Sequence, residues 1–96
     1  MTISEFQKLI EEIYFARDSA RGRDASFVWF VEEVGELAKA LLRPKDDGGK
    51  NLRDEFADVF AWLSTLASIA GVDLEASAVA KYKDGCPKCR ATPCIC

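Results

Sequence analysis

Residues 27–42, with the sequence FVWFVEEVGELAKALL, decide the fold that we predict for this chain. Apolar side chains recur there at steps of three and four residues, which is the repeat of one face of an α-helix. The side chains that we expect to form a buried face are Phe27, Phe30, Val31, Val34, Ala38 and Leu41. Val28, Trp29 and Leu42 are also apolar but lie off that face. This excess favours burial against a second subunit in addition to burial within the chain.

A first helix is predicted over residues 2–20, where apolar residues keep the same helical repeat. Thr2 and Glu5 have the spacing of a capping box at its start. Gly22 is suited to ending it, because glycine adopts a positive φ at low cost. We interpret residues 17–23 as a polar loop that carries three arginines.

The second and third helices are bounded by short polar residues, proline and glycine. Asp24 or Ser26 is predicted to cap the second helix, because their side chains accept hydrogen bonds from free backbone N–H groups. Pro44 disfavours helix at the residue before it, so the second helix ends there. A third helix is predicted to open at Asn51 and to stop at Gly71.

A fourth, shorter helix is predicted from a cap at Asp73 to about Tyr82, and no segment shows the alternation of a strand. The predicted fold is therefore all-α, a four-helix bundle that completes its core by oligomerisation. We expect two parts: a helical domain over residues 1–84 and a short cysteine-rich tail over residues 85–96.

Length, composition and charge narrow the class of protein. The 96 residues are 49% apolar and 30% charged, which describes one small globular domain. A domain of this size is marginal as a monomer, so we expect a homodimer or a homotetramer. The net charge of −3 offers no basic field for a nucleic-acid polymer. No stretch has the character of a membrane span or a signal peptide, so we predict a cytoplasmic protein without a membrane partner.

Two pairs of acidic residues stand on the predicted second and third helices. Glu33 and Glu36 are three residues apart, as are Glu55 and Asp58, so each pair lies on one side of its helix. The 18 residues between Glu36 and Glu55 permit antiparallel packing, which would bring the four carboxylates together. Such charges repel each other unless a cation lies between them. Hard oxygen ligands without histidine or thiolate favour Mg²⁺, with Mn²⁺ as the alternative.

Each of these acidic residues, taken alone, is more often a solvated charge on an amphipathic helix. Two observations weigh against that interpretation. Glu36 has no basic residue four positions later, and Glu55 and Asp58 have apolar neighbours in place of lysines. A ferritin-like di-iron site would also use inward carboxylates, but it requires histidines, and the chain contains none.

The segment from Glu32 to Glu36, EEVGE, is followed after 18 residues by Glu55 and Asp58. This succession resembles the E-E-x-x-E and E-x-x-D motifs of the MazG-like nucleoside triphosphate pyrophosphohydrolases. The apolar residues around both motifs are similar to those of the family as well. The likeness covers about residues 3–83.

The resemblance implies a MazG-like bundle that acts as an oligomeric, Mg²⁺-dependent hydrolase. Its substrate would be a ribo- or deoxyribonucleoside triphosphate, split to the monophosphate and pyrophosphate in nucleotide-pool house-cleaning. By motif position the metal ligands are Glu33, Glu36, Glu55 and Asp58. Glu32 matches the first glutamate of the motif, and either Glu32 or Glu36 is the candidate to accept a proton from the attacking water.

Basic and aromatic residues near the acidic pairs are candidates to hold the nucleotide, although each alone is more often a surface or core residue. The basic candidates are Lys39, Lys50, Arg53 and Lys81, with Arg21 and Arg23 before the second helix. Lys81 and Tyr82 also resemble a Lys-aromatic pair at the end of the family's fourth helix. Trp29 and Trp62 lie one turn from the acidic motifs, where a base can stack on an indole ring.

All four cysteines lie in the last eleven residues, at Cys86, Cys89, Cys94 and Cys96. A Cys-x-x-Cys knuckle followed by Cys-x-Cys suits tetrahedral Zn²⁺, so we predict a structural zinc site. A reduced tail without metal and a pair of disulfides are the alternatives, and a reducing cytosol disfavours the disulfides.

The first functional hypothesis from the sequence is an enzyme, a nucleotide pyrophosphohydrolase acting on phosphoric anhydrides. A narrower form of it is a dedicated dUTP/dCTP or phosphoribosyl-ATP pyrophosphatase. The second hypothesis is a non-catalytic helical dimerisation module that binds metal through its tail.

Overall fold

The computed structural model describes residues 1–96 and contains four α-helices and no strand. The helices are α1 (Ile3–Arg21), α2 (Arg23–Leu42), α3 (Lys50–Ile69) and α4 (Leu74–Tyr82). The predictions of an all-α fold and of four helices are confirmed. α2 packs mainly on α3, α1 lies against α3, and the short α4 packs on α1. None of the helices has, by itself, the length and apolar composition needed to cross a bilayer.

The predicted caps of α1 and α4 are present. The Thr2 hydroxyl accepts a hydrogen bond from the Glu5 N–H, and the Glu5 carboxylate accepts one from the Thr2 N–H. Gly22 ends α1 with a φ of 81°. The Asp73 carboxylate accepts from the Ala76 N–H at 2.9 Å and so caps α4. These local signals fix where the chain enters and leaves its first and last helices.

The predicted polar loop at residues 17–23 is wrong, because α1 continues to Arg21 and α2 begins at Arg23. Gly22 alone makes the turn between the two helices. The polar residues before it stay helical because they have partners within the helix. Asp18 Oδ1 lies 2.9 Å from Arg21 Nη1, one turn along α1.

The predicted caps of α2 are also wrong. Gly22 occupies the N-cap position, so Asp24 and Ser26 lie inside the first turns of α2. The Ser26 hydroxyl is buried and donates to the Gly22 carbonyl at 2.7 Å. α3 begins one residue before the predicted Asn51, where the Asp47 carboxylate accepts from the Asn51 N–H at 2.9 Å.

The core of the single chain is small. Its buried apolar residues are Ile10, Ala40 and Ala67. Phe6 of α1 stacks on Phe60 of α3 with ring centroids 4.8 Å apart, which holds the two helices together. The radius of gyration is 15.7 Å, against about 13 Å for a compact domain of 100 residues. One chain alone therefore leaves an open structure with much apolar surface outside the core.

Most of the predicted buried face of α2 is open to solvent within one chain. Phe30 is half-buried, and the other five residues, hereafter the outer stripe, are exposed: Phe27, Val31, Val34, Ala38 and Leu41. The reason is the orientation of α2. This helix contacts α3 through the side that carries Ser26, Glu33 and Ala40, about 120° away around the helix at about 100° per residue.

Gln7 joins α1 to the turn between α3 and α4. Its side-chain amide donates to the Val72 carbonyl at 2.7 Å and to the Ser68 hydroxyl at 3.2 Å. Its Oε1 accepts from the Leu74 N–H at 3.0 Å. Because Gln7 is only 9% exposed, water has little access to these groups.

We predict that Gln7→Ala lowers the free energy of unfolding by about 2–3 kcal/mol, because the Val72 carbonyl and the Leu74 N–H lose their partner. Urea unfolding at a fixed protein concentration measures this loss. Lys8→Ala is the matched control, since its side chain is exposed on the same helix. Equal unfolding midpoints for the two variants would show that the Gln7 contacts contribute nothing.

Candidate active site

Three carboxylates from α2 and α3 converge on one point. The side chains of Glu33, Glu55 and Asp58 each offer an oxygen atom, and these atoms all lie within 4.8 Å of one another. We call these three residues the acidic cluster. Glu33 comes from α2, and the other two stand three residues apart on one side of α3. The cluster therefore depends on the packing of α2 against α3.

The acidic cluster is partly shielded from water. Burial of the Glu33 carboxyl raises its pKa, and the negative charges of Asp58 and Glu55 raise it further. The Oε2 atom of Glu55 is buried and has no hydrogen-bond partner. A buried carboxylate oxygen without a donor is costly, so this geometry calls for a positive partner.

A divalent cation fits the acidic cluster. At an effective dielectric of about 20, two carboxylate charges 4.8 Å apart repel by about 3 kcal/mol, so three charges together are unfavourable without compensation. No lysine or arginine forms an ion pair with any of the three carboxylates. The donor set is entirely carboxylate oxygen, which suits a hard cation such as Mg²⁺.

The remaining two motif glutamates lie outside the acidic cluster. Glu36 is one turn after Glu33, and its Oε1 lies 3.8 Å from Lys39 Nζ. The Glu36 side chain is 48% exposed, so it is free to turn toward the cluster. Glu32 is exposed on another side of α2, although its charge still contributes to the raised pKa of Glu33.

Two tryptophans and an arginine stack beside the acidic cluster. Trp29 of α2 and Trp62 of α3 are nearly parallel, with ring centroids 6.2 Å apart and an interplanar angle of 12°. The guanidinium carbon of Arg21 lies 4.7 Å from the centroid of the Trp62 ring. This stack runs from α2 across α3 to the end of α1. It places a cation–π pair and a flat aromatic surface one turn from Asp58.

A cavity of about 200 Å³ lies between α1 and α3 and reaches the acidic cluster through Asp58. Its nine lining residues include Tyr14, Arg17, Arg21 and Trp62. Arg21 is oriented by Asp18, whose other oxygen accepts from the Thr65 hydroxyl at 3.1 Å. The cavity thus combines two guanidinium groups, two aromatic rings and one carboxylate of the cluster.

The other basic candidates lie away from this cavity. Lys39 is paired with Glu36, and its side chain is 75% exposed. Arg53 donates to the Gly48 carbonyl at 3.0 Å at the start of α3. Lys50 forms an ion pair with Asp54, with Nζ 2.6 Å from Oδ2. Lys81 is near the end of α4, where its Nζ lies 5.4 Å from the centroid of the Tyr82 ring.

Arg17 and Tyr14 are candidate site residues that the sequence reasoning missed. Both follow Ile10 on one face of α1 at steps of four and three residues, and Arg21 continues this face. The misassigned loop at residues 17–23 concealed the pattern. With α1 extended to Arg21, the same spacing would have placed both arginines beside α3.

The four predicted zinc ligands also converge, at a second place in the chain. The sulfur atoms of Cys86, Cys89, Cys94 and Cys96 all lie within 4.8 Å of one another. Hydrogen bonds from backbone N–H groups, those of Ile95 and Ala91 foremost, lower the pKa of the Cys89 thiol to about 6. These four residues share no member with the acidic cluster.

Comparison with protein families identifies one match. The family model of the MazG nucleotide pyrophosphohydrolase domain matches residues 22–90, which is more than half of the chain. The match includes the acidic cluster and begins just after α1. Comparison with curated proteins gives no match.

Proposed function

The chain belongs to the MazG nucleotide pyrophosphohydrolase family, and on this premise we propose that it hydrolyses a nucleoside triphosphate to the monophosphate and pyrophosphate. The observation that carries the proposal is the acidic cluster with its buried, unpartnered Glu55 oxygen. Nucleotide-pool house-cleaning is the role that this reaction would serve.

We assign the metal to Mg²⁺, with Glu33, Glu36, Glu55 and Asp58 as its ligands. When bound, Mg²⁺ would neutralise charge on the phosphate oxygens and make a bound water more acidic. The raised pKa of Glu33 favours this assignment, because a cation would hold its carboxylate in the charged form. Glu36 would join the other three ligands by breaking its ion pair with Lys39, in which Oε1 lies 3.8 Å from Nζ.

Glu32 and Glu36 are the candidates for the general base. A base must reach the attacking water and remain able to accept a proton, and both side chains are exposed beside the acidic cluster. Glu36 has the shorter path, because it lies on the same side of α2 as Glu33. Glu32 points about 100° away from Glu33 and would act from the edge of the site.

The cavity between α1 and α3 is the proposed nucleotide site. Arg17 and Arg21 would meet the phosphate groups, since guanidinium groups bind phosphate through paired hydrogen bonds. Trp29, which is 46% exposed, offers the surface on which a base stacks, because Trp62 already contacts both Trp29 and Arg21. We keep Lys39, Arg53 and Lys81 as outer candidates for the triphosphate, because all three are exposed on long, flexible side chains.

A second copy of the chain is the proposed partner of the outer stripe. The stripe residues follow each other at steps of four, three, four and three, which is the spacing of a coiled-coil seam. Two copies of α2 packed along this stripe would bury apolar residues that are 41–55% exposed, such as Val34 and Leu41. A homodimer is thus the smallest assembly that covers the stripe, and a homotetramer would contain the same contact.

We expect the purified protein to release pyrophosphate and the monophosphate from at least one nucleoside triphosphate in the presence of Mg²⁺. A panel of ribo- and deoxyribonucleoside triphosphates, with dUTP, dCTP and phosphoribosyl-ATP included, tests this by anion-exchange separation of the products. Detection of pyrophosphate, as opposed to orthophosphate, shows that the bond between the α- and β-phosphates is cleaved. EDTA should stop the reaction, and excess Mg²⁺ should restore it.

The same panel decides between the two hypotheses. Turnover of a single member would identify a dedicated enzyme, and turnover of several would indicate house-cleaning. If no triphosphate is hydrolysed with Mg²⁺ or Mn²⁺, the non-catalytic dimerisation module is the better account of this chain.

A further inference from the structure

The four cysteine sulfurs all lie within 4.8 Å of one another. Three of the pairs are Cys86 with Cys96 at 3.8 Å, Cys89 with Cys94 at 4.0 Å and Cys94 with Cys96 at 3.3 Å. A Zn²⁺ ion with four Zn–S bonds of about 2.3 Å requires sulfur atoms about 3.8 Å apart. The observed spacing therefore suits one ion at the centre of the four sulfurs.

A tight turn places the first two sulfurs on the same side of the chain. The Arg90 N–H donates to the Cys86 carbonyl at 2.6 Å, and the Cys86 N–H donates to the Ala91 carbonyl at 3.0 Å. The chain then passes so close to Gly85 that a Cβ atom there would lie 2.9 Å from the Ala91 oxygen. Gly85 also has a φ of 97°, so this close return of the chain requires glycine.

The rest of the tail gives little reason for this order. Residues 85–96 form no helix or strand, and no hydrogen bond or ion pair joins their side chains to α1, α2 or α3. The large apolar residue of the segment, Ile95, is 81% exposed, so the tail has no apolar core of its own. Its four converging side chains are all thiols, and thiolate sulfur is a preferred ligand of Zn²⁺.

We propose that Cys86, Cys89, Cys94 and Cys96 bind one Zn²⁺ ion, and that this ion fixes residues 85–96 as a separate module at the end of α4. Four thiolates fill a tetrahedral shell and leave no position for water or substrate, so the site is structural. The ion replaces the missing apolar core of the tail, because binding free energy becomes folding free energy in such a segment.

Disulfides do not account for this arrangement. All four cysteines are free, and their shortest sulfur–sulfur distance, 3.3 Å, exceeds the disulfide bond length of about 2.05 Å. Two disulfides would pair the sulfurs two by two and give no reason for all four to lie within 4.8 Å of one another. The two proposed sites would therefore select different ions: the soft thiolates would bind Zn²⁺, and the hard carboxylates of the acidic cluster would bind Mg²⁺.

Metal analysis of the full chain, purified under reducing conditions without chelator, tests the proposal. We expect one zinc per chain and no iron. Stepwise modification of the thiols with a mercurial reagent should release this zinc in proportion, as followed with a metallochromic dye. This measurement uses the unaltered protein, so it does not depend on whether a variant folds.

The Cys94→Ser variant should lose the zinc and melt at a lower temperature than the wild type. The Lys88→Ala variant changes an exposed residue of the same turn and should keep both the zinc and the wild-type melting temperature. Several outcomes would overturn the proposal. These are reduced protein that neither contains nor takes up zinc, Cys94→Ser protein with a full zinc content, intact mass showing loss of hydrogen by disulfide formation, or iron in place of zinc. Each readout is independent of nucleotide hydrolysis and so separates this proposal from the proposed activity.

Discussion

Replacing Asp58 with asparagine is expected to lower pyrophosphate release about 100-fold or more. Asp58 belongs to the acidic cluster and also lines the cavity between α1 and α3, so it is the point where the proposed metal and nucleotide sites meet. An amide oxygen is a weaker ligand for Mg²⁺ than a carboxylate. Changing a residue that only hydrogen-bonds to a metal ligand typically lowers metal affinity or activity about 10–100-fold. Changing the ligand itself should lower activity at least as much.

Asp54→Asn is the matched control for this experiment. Asp54 lies on the same helix, four residues before Asp58, and the substitution replaces an aspartate with an asparagine in both cases. Its side chain is 57% exposed, pairs with Lys50 and takes no part in the cluster. We therefore expect near wild-type turnover. Equal loss of activity in both variants would show that general damage to α3, and not loss of a ligand, explains the result.

The stability of Asp58→Asn should change in the opposite direction to its activity. In the metal-free chain, Asp58 is the charge that contributes most to the raised pKa of Glu33 after burial itself. Removing that charge relieves repulsion, so the variant should melt no lower than the wild type in EDTA. Mg²⁺ should raise the melting temperature of the wild type and have little effect on the variant. Lower stability in EDTA would contradict this account of the cluster.

Much of the candidate site could be predicted from residue spacing alone. Carboxylates three residues apart on a helix must share a side, and the length of the connection allowed α2 and α3 to pack antiparallel. Glu33, Glu55 and Asp58 meet for this reason. The pairing of Glu36 with Lys39 was missed because only the position four residues after Glu36 was considered, whereas Lys39 stands three residues after it on the same side of α2.

The arginines of α1 were misplaced because their helical state depends on tertiary contacts. Residues 17–23 contain polar side chains and a glycine, which favour a loop in isolation. In the fold, Asp18 is buried and accepts hydrogen bonds from Arg21 and from Thr65 of α3. The partner on α3 lies 47 residues away in the sequence, so no local pattern reports it.

The predicted buried face of α2 is wrong within one chain, because five of its six residues are exposed there. Periodicity identifies which side chains share a face of a helix. On α2, however, two different faces are suited to packing against another surface. Small and acidic residues such as Ala40 and Glu33 face α3, while the outer stripe faces solvent. Only the assembled fold decides which face meets which surface.

Val34→Glu is expected to convert the proposed dimer to a monomer. Val34 is central in the outer stripe and is 41% exposed in the single chain. In a symmetric α2–α2 contact, each copy would bring one carboxylate into an apolar seam. Burying an unpaired carboxylate costs several kcal/mol per ion, which is enough to dissociate an interface of modest size. Light scattering coupled to size-exclusion chromatography measures the change in mass directly.

Ala25→Glu is the control, because it introduces the same side chain on the same helix. Ala25 is exposed and lies about 180° from Val34 around α2, outside the outer stripe. We expect this variant to keep the mass of the wild type. A monomeric wild type, or a Val34→Glu variant that remains a dimer, would exclude the outer stripe as the interface.

The monomeric variant should also be less stable than the dimer, because one chain alone buries few residues. Only 8 of the 96 residues are buried in the single chain, so the monomeric variant should melt at a lower temperature and over a broader range. The acidic cluster is formed by α2 and α3 of one chain and is not completed by the stripe. Mg²⁺ should therefore still raise the melting temperature of Val34→Glu, in contrast to Asp58→Asn, because the two variants remove different supports of the same fold.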